Sequence, residues 1–112
     1  DVLLVEREKC KTIFEEACLR LSDIYSEQSE PGQAETVLER SLIVDPFSEI
    51  TCLALATTYM NQGKRTKALK LLNDYKKRLK KELGLDPDIS IIEAIQNPWM
   101  LSNKRETRKV VN

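Results

Sequence analysis

Histidine is absent from this 112-residue sequence, and glycine, proline and aromatic side chains are scarce. Without histidine the chain offers no imidazole to a metal ion or to acid–base catalysis. Only 3 glycines and 4 prolines interrupt the backbone, and 41% hydrophobic with 32% charged residues is typical of a helix-rich globular chain. The length fits one domain. No apolar run approaches the roughly 20 residues of a membrane-spanning helix.

Further absences concern catalysis and cofactors. The cysteines, Cys10, Cys18 and Cys52, are odd in number and not closely paired, so they predict neither a disulfide framework nor a CxxC metal site. No glycine-rich phosphate loop or nucleophile–base arrangement appears. The neighbouring carboxylates Glu15 and Glu16 diverge if they lie on a helix. We therefore expect a non-catalytic, cytoplasmic chain without metal, cofactor, small-molecule substrate or membrane contact.

Apolar residues three or four positions apart, with breaks between the runs, predict five helices and no strand. Asp86 is expected to cap the fifth helix, with Pro87 in its first position. The polar residues 101–112 are expected to form a disordered tail, which frays or awaits a partner, outside a domain of residues 1–100. The predicted helices run from about Val5 to Gln28, from Pro31 to Asp45, from Pro46 or Ser48 to Asn61, from Thr66 to Leu83, and from Asp86-Pro87 to Asn97.

The sequence repeats itself, since a series of residues recurs one 34-residue period further along the chain. Two helices in each such unit are the signature of tetratricopeptide repeats, whose stacked hairpins bury a continuous core. We therefore predict an all-α, tetratricopeptide-like right-handed solenoid of two antiparallel helix hairpins plus a short fifth helix. The matched pairs are Cys18 with Cys52, Leu21 with Leu55, Ser22 with Ala56, Tyr25 with Tyr59, Ala34 with Ala68, and Leu38 with Leu72.

A more specific similarity lies at the end of the fourth predicted helix. Residues 77–87 read Lys-Arg-Leu-Lys-Lys-Glu-Leu-Gly-Leu-Asp-Pro, a basic helix followed by Glu-Leu-Gly, a hydrophobic residue, an acidic residue and proline. This segment, with Asp45-Pro46-Phe47 and Ala68-Leu69, resembles the bacterial transcriptional activator domain. That domain is the tetratricopeptide-like module of antibiotic regulatory protein-type regulators. The similarity covers roughly residues 6–95.

The resemblance implies a non-catalytic regulatory module that supports oligomerisation or contacts with other proteins. In the family this module commonly follows a winged-helix DNA-binding domain, for which this chain has no pattern. We expect DNA to be bound only through a domain outside this chain. A generic tetratricopeptide adaptor or scaffold is the alternative, because such arrays bind many unrelated partners.

A partner, or a second copy of the chain, is expected on the concave side, lined by the first helix of each hairpin. The apolar members of this set could instead be buried against the first or fifth helix. The predicted contact residues are Leu19, Asp23, Ser26, Leu53, Thr57, Met60 and Asn61.

The zero net charge hides a dipolar chain. Residues 1–50 carry 12 acidic and 5 basic side chains, whereas residues 64–81 carry 9 basic side chains against Asp74. Such a basic stretch is either an auxiliary nucleic-acid contact or the solvated face of an amphipathic helix. The candidate contacts are Lys64, Arg65, Lys67, Lys70, Lys76, Lys77, Lys80 and Lys81.

Overall fold

The computed structural model describes residues 1–102, which form five helices and, within that range, no strand. Each helix packs against the next, and α3 also contacts both α1 and α5. Two hairpins, α1–α2 and α3–α4, are thus followed by a short helix, which confirms the all-α, tetratricopeptide-like fold. The helices are α1 (Val2–Glu27), α2 (Pro31–Val44), α3 (Glu49–Asn61), α4 (Arg65–Leu83) and α5 (Ile89–Gln96).

The 34-residue period is visible in the helix boundaries. The first helices of the two hairpins end one period apart, at Glu27 and Asn61, and the second helices begin one period apart, at Pro31 and Arg65. Helical backbone resumes at residue 99, again one period after Arg65. The short helix α5 therefore takes the place of the first helix in a third unit. Of the predicted tail, residues 101 and 102 are helical, and the remainder lies outside the described residues.

The turns inside the two hairpins share one backbone conformation. Ser29 has φ of 59° and Gly63 has φ of 74°, so both lie in the left-handed region. The residue after each donates its N–H to a tyrosine carbonyl oxygen, at 2.8 Å for Tyr25 and 2.9 Å for Tyr59. Glycine adopts this conformation without the steric cost that serine bears. The predicted left-handed cap at Gly63 is confirmed.

Matched positions differ in burial because the two hairpins have different neighbours. Leu55 is 2% exposed, whereas its counterpart Leu21 is 39% exposed; Tyr59 is buried and Tyr25 only half-buried. The second hairpin packs against the first hairpin on one side and α5 on the other. No helix among residues 1–102 covers the outer side of α1, which keeps large apolar side chains such as Ile13 at the surface.

Two predicted helix starts were wrong. Helix α1 begins at Val2 rather than near Val5, since the Asp1 carboxylate accepts a hydrogen bond from the Leu3 N–H at 3.1 Å. Helix α5 begins at Ile89, after Asp88, and not at Asp86-Pro87. Asp88 is extended, and its N–H donates to Glu49 Oε1 at 2.9 Å, which ties this segment to the start of α3.

Candidate partner-binding groove

A groove of about 740 Å³ lies between α1 and α3 on the side predicted to be concave. The first helices of the two hairpins supply most of its walls. The C-terminal end of the described chain contributes one further side chain, Leu101. The lining residues are Ser22, Asp23, Ser26, Glu27, Ile50, Leu53, Ala54, Thr57, Thr58 and Leu101.

The structure brings together four of the seven predicted contact residues: Asp23, Ser26, Leu53 and Thr57 all line the groove. The other three, Leu19, Met60 and Asn61, do not. Leu19 and Met60 instead pack against the hydrophobic core, as the alternative interpretation of the apolar members predicted, and Asn61 is exposed at the end of α3. Leu53 also packs against the core while lining the groove, and the role of these residues as partner contacts stays a prediction.

Helical spacing could have found some of the lining residues that the sequence analysis missed. Ile50 and Glu27 lie one helical turn from Leu53 and Asp23, on the same helix faces. Ile50 is 58% exposed although it is a large apolar residue in a structured helix. Leu101 could not have been found in this way, because its place depends on the turn after α5.

The threonine hydroxyl groups in the groove are already engaged by their own helix. Thr57 Oγ1 donates to the Leu53 carbonyl oxygen at 2.8 Å, and Thr58 Oγ1 donates to that of Ala54 at 2.9 Å. Each hydroxyl thereby gives its only proton to the backbone and can offer a ligand only lone pairs. The surface left for a partner combines an apolar floor with the polar side chains of α1, among them Ser26.

The charges at the edge of the groove are of one sign. Asp23 and Glu27 are exposed and stand four residues apart on α1, and none of the lining residues is basic. The groove therefore disfavours acidic ligands and favours basic ones.

Glu15 joins the two helices that form the groove. Its carboxylate accepts hydrogen bonds from the hydroxyls of Ser48 and Thr51, the second at 3.1 Å. Ser48 caps α3, accepting from the Thr51 N–H, and Thr51 is fully buried. The adjacent Glu16 is exposed, so the two carboxylates diverge as predicted. Glu15 fixes α1 against the start of α3.

A second carboxylate joins the two hairpins. Glu35 on α2 accepts hydrogen bonds from Gln62 and from Lys64 Nζ, the latter at 2.8 Å. Burial raises the pKa of Glu35, but these hydrogen bonds and the charges of Lys64 and Lys67 outweigh that effect and hold the pKa below its ordinary value. Lys64 is therefore engaged within the fold.

The basic side chains of α4 do not form one uniform surface. Besides Lys64, Lys70 pairs with Asp74 at 2.9 Å and Lys80 with Asp86 at 3.5 Å, while Lys67 lies 5.4 Å from the centre of the Tyr59 ring. The remaining four candidate contacts make no ion pair with residues 1–102. These four are Arg65, Lys76, Lys77 and Lys81.

The cysteines show no catalytic or metal-binding arrangement. Burial, with a smaller effect from Glu49, raises the pKa of the Cys52 thiol to about 12, so it stays protonated at neutral pH. Cys18 is also buried, and Cys10 is exposed. Across the described part of the chain, no three side chains of the metal-binding types cluster closely enough to hold an ion, and no helix is long and apolar enough to cross a bilayer.

Comparison with known proteins gives one match. A family model described as the bacterial transcriptional activator domain matches residues 1–97, nearly the whole described chain, and confirms the resemblance seen at the end of α4. No curated protein and no solved structure matches the chain.

Proposed function

Because the chain belongs to the bacterial transcriptional activator domain family, a family of transcription regulators, we propose that its groove binds a protein segment that controls a regulator's activity. The module does no chemistry of its own and works in the cytoplasm. DNA is bound by a domain outside residues 1–112. Recruitment of a partner or a second copy through the groove makes the regulator active or inactive.

The exposed Ile50 carries this proposal. At 58% exposed it stands at the edge of a groove whose floor is formed by the half-buried Leu53 and Ala54. An apolar side chain in a concave site with a polar rim is a usual anchor for a partner helix or loop. An adaptor role outside transcription would use the same groove, but the family match favours regulation.

The test replaces Ile50 by serine in the full-length regulator. The substitution removes apolar contact area that faces solvent in the free domain, so folding should change little. We expect promoter occupancy to be kept and regulated transcription to be lost. Occupancy is measured by chromatin immunoprecipitation and transcription with a promoter reporter.

Ile89→Ser is the matched control. Ile89 is 70% exposed, also lies at the start of a helix, and does not line the groove. The control should leave both measurements unchanged. Normal regulation in the Ile50→Ser strain, or equal loss in both strains, would contradict the proposed role of the groove.

The unpaired cations of α4 support a second function, an auxiliary contact with nucleic acid. Arg65, Lys76, Lys77 and Lys81 are exposed on α4, and by helical spacing they occupy two neighbouring parts of its solvent-facing surface. Such binding would weaken steeply with added salt. Titration of labelled duplex DNA with the domain at low salt tests it, and a flat response excludes it.

A further inference from the structure

The C-terminal end of the described chain enters the groove. After α5, Pro98 is buried, and Leu101 packs against the core while lining the groove. The intervening Trp99 stays 50% exposed. The chain thus reaches residue 102 beside the walls formed by α1 and α3, and the next residues start at the site itself.

Residues 103–112 have the charge that the groove lacks. They comprise four basic side chains and one acidic one, followed by Val110 and Val111. The basic residues form two pairs, at 104–105 and 108–109. Their charge is opposite to that of Asp23 and Glu27, and together with the neighbouring apolar floor this makes the segment and the groove complementary.

We propose that residues 103–112 of this chain bind in the groove between α1 and α3, and that a partner must displace them. The proposal rests on the proposed function, because the site that residues 103–112 occupy is the one at which the partner is proposed to bind. Ten residues span up to about 33 Å when extended. Their attachment at Ser102 gives them a high effective concentration at the site.

Displacement would make the domain a switch. A partner segment competes with the attached residues for Asp23 and Glu27, so its apparent affinity falls by the fraction of groove that is occupied. Neutralising the basic residues would free the groove and raise partner binding.

Paramagnetic relaxation in the full 112-residue chain tests the proposal. A nitroxide is attached at Thr107→Cys in a Cys10→Ser background, because Cys10 is the exposed native thiol and Cys18 and Cys52 are buried. We expect amide signals of the groove residues Ser26 and Thr57 to lose intensity. Amides on the outer side of α4, such as those of Lys70 and Lys77, should keep theirs.

Charge reversal then identifies the interaction. Asp23→Lys with Glu27→Lys should restore the groove signals, whereas Glu8→Lys with Glu16→Lys, an equal charge change at exposed positions outside the groove, should not. Reversal of the four basic residues to glutamate in the first of these variants should bring the signal losses back.

Three results would overturn the proposal: no loss at the groove, equal loss over α4, or losses that persist when Asp23 and Glu27 are reversed. The outcome is independent of the Ile50 test. Residues 103–112 can occupy the groove even if Ile50→Ser leaves transcription unchanged, and Ile50→Ser can abolish regulation even if no signals are lost.

Discussion

Replacement of Glu15 by alanine should destabilise the domain, whereas replacement of its exposed neighbour Glu16 should not. Its carboxylate accepts from Ser48 and Thr51, and these are the contacts by which it joins α1 to α3. A hydrogen bond to a charged group contributes about 1.5–3 kcal/mol, and the two bonds share one oxygen. In the variant the two hydroxyl oxygens, which lie 3.0 Å apart, are free to hydrogen-bond to each other and recover part of this loss. We therefore expect a loss of about 2 kcal/mol.

The assay is urea unfolding followed by far-ultraviolet circular dichroism, with Glu16→Ala as the control. The exposed Glu16 should change the free energy of unfolding by less than about 0.5 kcal/mol. A loss of about 2 kcal/mol corresponds to a melting temperature lower by about 8 °C or more in a domain of this size. Glu15→Gln keeps an acceptor oxygen and should fall between the two. Equal midpoints for Glu15→Ala and Glu16→Ala would refute the reasoning.

Three further predictions concern the core and the pH dependence. In urea unfolding, Leu55→Ala should lower the free energy of unfolding by about 2–5 kcal/mol. Its counterpart Leu21→Ala should lower it by only about 1 kcal/mol, because Leu21 is 39% exposed. Equal losses would contradict the difference in burial. Because the pKa of Glu35 in the folded protein lies below its ordinary value of 4.5, the ionised carboxylate stabilises the fold fully above pH 4.5. This stabilisation is lost as the pH falls through the lowered pKa. Glu35→Gln should therefore destabilise the domain at pH 7, and this destabilisation should shrink as the pH falls below 4.5; a difference that does not change with pH would contradict this. Burial, helped by Glu39 for Tyr59 and Glu49 for Tyr75, raises both pKa values to about 12. The contribution of these two neutral tyrosines to the stability of the fold is complete below pH 10 and is lost as the pH rises through 12. Absorbance at 295 nm should therefore show that tyrosine ionisation coincides with unfolding.

Most of the fold could be predicted because local signals mark the turns. Gly63 and Gly84 adopt the left-handed conformation that ends a helix, and Pro31 opens α2. Since each unit repeats the same pattern, an error in the period would have been visible as a mismatch in the neighbouring unit. The start of α5 was predicted wrongly because Pro87 is as suitable for the first helical position as Ile89 is. Glu49, which is distant in the sequence, accepts a hydrogen bond from the Asp88 N–H and so holds the segment before Ile89 in its extended conformation.

The groove was predicted only in part for a related reason. Helical spacing places Asp23 and Leu53 on inward faces, but it cannot decide how far the core extends toward the rim, and so it also selected Leu19 and Met60. Contacts between residues more than thirty positions apart, such as Glu15 with Ser48, leave no trace in the repeat pattern. Leu101 enters the groove after the turn at Pro98, which lies one period after Lys64, and the repeat pattern alone does not indicate which side chains beyond that turn reach the groove.

The uneven burial of the two hairpins predicts a difference in their local stability. In a linear array each unit is held by its neighbours, and α1–α2 has one neighbouring hairpin while α3 touches helices on both sides. Within residues 1–102, we therefore expect amide protons of α1 to exchange with deuterium sooner than those of α3. We thus expect the wall of the groove that carries both acidic side chains to open locally more often than the wall formed by α3.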